Sequence, residues 1–429
     1  MSDARAPGSG KVRSGGPGSG VKLAALGFGV TLALVVLETA LRLVPQAISP
    51  KLLILFEPGL RAAIASGAYP LQKDFQQIER DDGGPPLFVA KPDTRIVSID
   101  DTPDGAVRST DEIGFCNPPG RYNGHERIDV ITLGDSFTWC HAVVPEQAWP
   151  ALLGERAGLS TFSLGRGGNG PYEYLQYFRR FGIPKHPRVV VMNIYGGNDL
   201  RDAVSYGQYT AAIEKGEEPP SETPRNIAPG LAASLVGRHS YSLNLVLAFV
   251  SRIASQDPSD WERTGIDFRY QLALSGGPVA FNTENRDRDE VVSARHLASG
   301  STPVTIWDAA LARFAALARE QGFTAIVSYT PSAYVAYGDR VRFADPSIAT
   351  SLLHLDDAQR RYLAERASSL GILFHDLTAA LREASQHPDE TGLLYHPVHV
   401  HLTARGNEVV AASLARFLDE RGLDRDAQR

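Results

Sequence analysis

The stretch Ile128-Asp129-Val130-Ile131-Thr132-Leu133, followed by Gly134-Asp135-Ser136, constrains this chain more than any other. A run dominated by aliphatic and β-branched residues that breaks at a glycine reads as a buried strand entering a tight turn. In an open α/β sheet, ligands sit at the carboxyl ends of such strands. The turn hands the Ser136 hydroxyl to that edge, which makes Ser136 the candidate nucleophile.

Further runs fit the same sheet. Thr161–Leu164 ends at the glycine-rich turn 165–170, and Arg188–Tyr195 ends at Gly196-Gly197-Asn198-Asp199. Thr324–Tyr329 and Ile372–Phe374 follow, each preceded by a segment of helical period, about 306–321 and 356–370, and a last helix is expected over Thr403–Arg421. Strands alternating with helices predict a parallel sheet covered on both faces. The rhythm breaks between residues 200 and 305, where Pro219, Pro220, Pro224 and Pro229, an apolar helical stretch over Tyr241–Ile253 and the charged run 284–290 suggest an insertion walling the edge.

The N-terminal part reads differently. Residues 1–20 are rich in Gly, Ser, Pro and basic residues and predict a disordered tail. Within 21–44, the 19 residues from Leu23 to Leu41 carry only Glu38 as a charge, a length that just crosses a hydrocarbon core as a helix. Arg5, Lys11, Arg13 and Lys22 precede it and bias the N-terminus to the cytoplasm, which puts the body outside the inner membrane. A cleaved signal sequence is the alternative, although no Ala-x-Ala site follows the run directly, and a buried core helix is a third. Residues 45–110 predict a membrane-proximal helix (51–65) and a linker, and residues 111–429 the catalytic body. Cys116 and Cys140 flank the nucleophile strand; in an oxidising compartment they are candidates for a disulfide, and in a reducing one for two buried thiols. A net charge of -6 without a basic stripe excludes a nucleic acid partner on electrostatic grounds.

A hydroxyl nucleophile needs a base and a place for the oxyanion. His401, in His399-Val400-His401-Leu402-Thr403 just before the last helix, is the candidate base, and Gly168, Asn198 and the Ser136 N–H are the candidate oxyanion donors. Asp135 is read as capping a helix after the turn, and Asp199 as pinning the loop that aims Asn198. Arg201 and Asp202 are read as a solvated ion pair or as substrate contacts, and Tyr329, Tyr334 and Tyr337 as packing rather than pocket residues. His396, His399 and His401 alternate as ligands on a strand would, but no nearby carboxylate or cysteine completes a metal site, so no metal is expected. The turn 165–170 does not match Gly-x-Gly-x-x-Gly, so no nucleotide cofactor is expected either.

Gly134-Asp135-Ser136, Gly168, Gly196-x-Asn198-Asp199 and His401 together resemble the four blocks of the SGNH (GDSL-type) hydrolases, over about residues 112–425. The apolar helix ending Glu38-x-x-x-Arg42 and the stretch Asp111–Phe115 are similar to those of bacterial membrane-anchored members. The resemblance implies a flavodoxin-like α/β/α sandwich, no cofactor, and ester hydrolysis through an acyl-enzyme. The implied substrate is an acyl ester on a surface or exported glycan, or the same residues transfer the acyl group to a sugar hydroxyl. A noncatalytic glycan-binding or assembly protein would keep the same fold. One position departs from the pattern: the family's aspartate two or three residues before the histidine is here His399 or Val398. Asp389 or Glu390 could supply a displaced acid, His401 could work in a dyad, or the site could be degenerate.

Overall fold

The computed structural model describes residues 19–48, parts of 50–64, 75–97 apart from 81, 107–217, 237–254, 267–282, 289–387 and 392–424. The expected N-terminal tail, the proline-rich segment around 219–229, most of the charged run and both candidate displaced acids, Asp389 and Glu390, lie outside these residues. The chain divides into two compact units, 1–68 with 226–252, and 69–225 with 253–429.

In the smaller unit a helix runs over Ser19–Leu43, and its part Lys22–Leu43, with mean hydropathy 2.0, is long and apolar enough to cross a membrane. Leu23, Leu26 and Phe28 on it are exposed. Glu38 is the exception to its apolar character and has a specific task. Its carboxylate accepts from Arg42, from the Ser242 hydroxyl at 2.7 Å and from the backbone N–H groups of Tyr241 (3.1 Å) and Ser242 (2.8 Å). Those N–H groups open the helix Tyr241–Ala254, so an acid of one helix satisfies the orphan donors of the next.

The larger unit begins with two short hairpins, β1 (Phe75–Ile78) with β2 (Leu87–Ala90), and β3 (Arg95–Val97) with β4 (Val107–Ser109). Then come β5 (Val130–Leu133), β6 (Thr161–Ser163) and β7 (Val189–Tyr195). After them, β8 (Tyr270–Leu272) and β9 (Val279–Phe281) precede β10 (Thr324–Thr330), β11 (Val341–Phe343) and β12 (Leu373–Asp376). The central sheet has the order β12-β10-β7-β5-β6, and every neighbouring pair is parallel. Counted along the chain within this sheet, the order is 2-1-3-4-5, so the winding reverses between β5 and β7. All seven residues of β7 are buried, the continuous apolar signature of a strand covered on both faces.

Helices pack against one another in two groups, 149–157 with 378–384 and 404–419, and 171–177 with 308–321 and 349–370. This is an α/β fold with a parallel central sheet flanked by helices, consistent with three layers. The strands fall within two residues of the sequence expectation. The helix expected from 356 starts earlier, at Ala349, because Asp345 caps a short 3-10 turn that leads straight into it. The segment expected as one insertion is shared out: 226–252 belongs to the smaller unit, while β8 and β9 join β11 in a separate antiparallel sheet.

Candidate active site

Ser136 lies in the turn directly after β5, half-buried. Gly134 is required there, since a Cβ would collide with the Thr138 side chain. The fully buried Asp135 carboxylate accepts from the Phe137 N–H at 2.8 Å, and the Asp135 carbonyl accepts from Thr138 and Trp139. Asp135 thus closes a turn and not a helix, which corrects the expected cap. The next helix waits until Trp149, because the segment is interrupted by Ala142 at φ +67° and by the bond between Cys140 and Cys116. Burial pushes the Asp135 carboxyl up to about 7, against the pull of the Phe137 N–H, with the Asp202 charge adding to the rise. Underneath, the Thr138 hydroxyl accepts from the side chain of Asn193 on β7, whose amide oxygen accepts from Ser328 and Thr330 of β10. This buried polar ladder ties two strands to the turn that carries Ser136.

The other members come from four separate places. His401 Nε2 is 2.8 Å from Ser136 Oγ, while Asp135 Oδ2 is farther from that oxygen at 3.4 Å. His401 Nδ1 faces His399 Nδ1 at 3.1 Å, and the His401 backbone N–H donates to the same His399 nitrogen at 3.3 Å. A backbone N–H can only donate, so His399 Nδ1 is an acceptor. His401 Nδ1 must then carry its proton toward His399, which leaves the Nε2 lone pair facing the serine hydroxyl. His399, buried to 3% exposure, thus stands at the nitrogen of His401 where a carboxylate stands in a Ser-His-Asp triad.

Asn198 lines the same cavity, of about 180 Å³, with Ser136, Phe137, Tyr195, Gly197, Arg201, Glu290, His399, Val400 and His401. Its amide donates to Asp202 at 2.6 Å, which leaves the second amide hydrogen for a ligand. Asp202 also meets the Arg201 guanidinium at 3.4 Å, so the expected ion pair forms, exposed on the arginine side (42%) and sheltered on the carboxylate side (11%). Asp199 holds the loop from below: its carboxylate accepts from the Tyr174 hydroxyl (2.8 Å) and the Tyr195 N–H (2.9 Å). Burial drives the Asp199 carboxyl well above the ordinary range, helped by the Asp135 and Asp202 charges.

Gly168 lies in the loop that follows β6. The loop residue backing onto Ser136 is Gly167, where a Cβ would stand 3.4 Å from that of Ser136. Gly168, at φ +75°, lines a neighbouring cavity of about 490 Å³ together with Gly167, Tyr177, Tyr206 and Tyr209. Arg201 belongs to the lining of both cavities. Tyr329, Tyr334 and Tyr337 are all buried, and Tyr329 donates to Asp356. Cys116 and Cys140 form a disulfide with Cα atoms 5.9 Å apart.

Two residues were not found by sequence reasoning. His141 stacks on His401 with ring centroids 3.7 Å apart, five positions after the nucleophile. Its place so soon after Ser136 was the available signal. Glu290 reaches the cavity from the helix Asp289–Ala298 and accepts from Ser332 at 2.9 Å; nothing in its local pattern announces this. His396 keeps its ring 4.6 Å from that of His399, so the third member of the histidine cluster around His401 is His141, not His396.

No protein-family model and no curated protein matches the chain. Among solved structures, the chain is similar to the acetyl xylan esterase AlAXEase, with 16% identity over 68% of this chain and 100% of that one, at a TM-score of 0.33. It is also similar to Axe2, an acetylxylan esterase from Geobacillus stearothermophilus (14%, 70% and 95%, 0.33). A third is LAE5, an alpha/beta hydrolase enzyme from the metagenome of Lake Arreo, Spain (14%, 70% and 98%, 0.34). Likeness at this level says nothing of substrate or mechanism, and the reading below rests on the geometry of the site.

Proposed function

We propose that the protein is a serine ester hydrolase of SGNH type that removes a short acyl group from a polar, glycan-like carrier. The observation that carries this reading is the 2.8 Å approach of His401 Nε2 to Ser136 Oγ, with His399 setting the tautomer that makes Nε2 a base. The 2-1-3-4-5 sheet supports the flavodoxin-like assignment, and Ser136 after β5 and Asn198 after β7 flank the reversal in winding where such sheets bind ligands.

In this reading the Ser136 oxygen attacks the ester carbonyl carbon while its proton passes to His401 Nε2. The oxyanion is held by the Ser136 N–H and the second Asn198 hydrogen, with Asp202 keeping that amide aimed. The part played by Gly168 is to open the loop through its positive φ, and Gly167 provides the close approach beside the serine. Collapse of the tetrahedral intermediate breaks the bond to the leaving oxygen, which takes the proton from His401. Water then attacks the acyl-enzyme, again losing its proton to His401, and the free acid departs as Ser136 is restored. The 180 Å³ cavity, with short walls of mixed polarity, suits a short acyl group.

A second reading is acyl transfer to a sugar hydroxyl, favoured by the adjoining 490 Å³ cavity with its tyrosines and by the Arg201 that lines both cavities. The apolar Lys22–Leu43 helix supports anchoring in the inner membrane with the catalytic body on the periplasmic side, and the disulfide supports an oxidising compartment. The test is product analysis from acetylated and longer-chain ester substrates, with and without an oligosaccharide acceptor. The reading predicts release of free acetate with a steep loss of rate as the chain lengthens. Acylated oligosaccharide in place of acid would establish the transferase, and no turnover of any ester by folded protein would overturn both.

A further inference from the structure

The ring nitrogens of His141, His399 and His401 can supply three ligand atoms that all lie within 4.8 Å of one another. His141 arrives on the segment after the nucleophile turn, next to Cys140, and the other two arrive on the loop before the last helix. The His399 and His401 Nδ1 atoms are 3.1 Å apart. Two nitrogens so spaced, each roughly 2.0–2.1 Å from one ion, subtend about 100° at it, close to a tetrahedral angle. Imidazole sets of this kind select zinc, copper or nickel over magnesium or calcium. His399 Nδ1 carries no proton, so that ligand gives none up, and an ion there replaces the bonds it accepts from His401.

We propose that these three histidines form a site for one divalent transition-metal ion of the zinc type, and that its occupation switches the esterase off. The inference rests on the reading of His401 as the base. An ion on His401 Nε2 takes the lone pair that would receive the Ser136 proton. An ion on Nδ1 has the same result by another route: the ring proton moves from Nδ1 to Nε2, which then donates to Ser136 and cannot accept. No net proton or electron is lost in this tautomer change. The metal acts as a reversible inhibitor, with its fourth position open to water.

The experiment uses untagged full-length protein in detergent. Cobalt(II) and zinc are titrated into Ser136→Ala, which cannot turn over ester, with visible absorption and calorimetry as readouts. One tight equivalent with a tetrahedral cobalt spectrum is expected, and His141→Phe, which keeps a ring against His401 but removes a ligand, should weaken it at least roughly tenfold. No saturable binding, or binding unchanged in His141→Phe, overturns the site. In wild type, zinc should abolish ester turnover at a midpoint matching the binding constant, with recovery on adding a chelator. Binding without inhibition overturns the switch, and metal-stimulated hydrolysis in Ser136→Ala would instead make the ion a catalyst. If wild type hydrolyses no ester even after chelation, the esterase reading fails, and the binding titration still decides whether the site exists.

Discussion

The turn carrying Ser136 grows straight out of β5, whereas the loop carrying His401 is closed by an isolated bridge between Tyr395 and Leu402. The first is fixed from below by buried groups: Asp135, Thr138 and Asn193 all have exposures of 0%. The second is buried as well, with Tyr395 at 0%, His399 at 3% and Leu402 at 3% exposure, and is tied further through its backbone. His396 donates to the His401 carbonyl, Val400 donates to the His396 carbonyl, and the Thr403 hydroxyl donates to Leu393. Between the two histidines Val400 is held at φ +51°, a conformation that costs a β-branched residue on the order of 1–3 kcal/mol. This φ belongs to the turn that brings the His399 ring to His401. Both ends are thus held by buried residues, the Ser136 end through a polar ladder beneath its turn and the His401 end through a turn with Val400 at positive φ and a histidine pair. Changes at the base end should alter the quality of catalysis more than the fold, and changes beneath the nucleophile the reverse.

The largest effects fall where the two ends meet. Ser136→Ala and His401→Ala should each lower kcat for a short-chain ester by ~10³- to 10⁶-fold, and the double variant should be no worse than the poorer single one, because the pair acts as a unit. Additive losses would separate the two residues and break the account. Next comes His399. Its replacement by Ala removes the acceptor of His401 Nδ1 and should cost roughly 100-fold in kcat with little change in KM. His399→Asp supplies a charged acceptor and should raise kcat above wild type by roughly tenfold.

Smaller effects test the nucleophile end. Opening the disulfide with Cys116→Ser and Cys140→Ser releases a loop spanning 24 residues, worth ~3 kcal/mol by chain entropy, and should lower Tm by roughly 3–5 °C. A collapse of turnover without a fall in Tm would contradict the division drawn between the two ends. Smallest is a pH effect at Asp135. Its carboxyl is raised by burial to about 7, above its unfolded value, so the folded state holds a proton that the unfolded state releases. The resulting stability is present in full below the unfolded value and is lost as pH rises through the folded one. Asp135→Asn should therefore flatten the decline in Tm between about pH 4 and 7 relative to wild type.

What the sequence revealed follows the same division. The strands of the central sheet were legible as apolar runs, three of them closed by turns at Gly134, Gly165 and Gly196, and Ser136, Asn198 and His401 because each stands just past such a run or before an amphipathic helix. The tautomer-setting role of His399 was not legible, since it depends on which ring nitrogen faces which, a matter of the Val400 turn and not of residue type. Gly167, beside the expected Gly168, was not singled out because adjacent glycines look alike until the backbone direction is known. His141 and Glu290 were hidden for a different reason: they reach the site through tertiary packing, one along the disulfide-linked segment and one from the helix Asp289–Ala298. The Arg201–Asp202 pair was legible, but the bond from the Asn198 amide to Asp202 was not, because it is set by the turn into the helix Asp199–Lys215.

The most direct test of the central claim, a serine activated by His401, is covalent labelling of the folded protein with a fluorophosphonate, followed by peptide mass spectrometry. The account predicts a single adduct on Ser136 in wild type, absent in Ser136→Ala and slowed by orders of magnitude in His401→Ala. An adduct on another residue, or a folded wild type that does not label in the presence of a chelator, would contradict it.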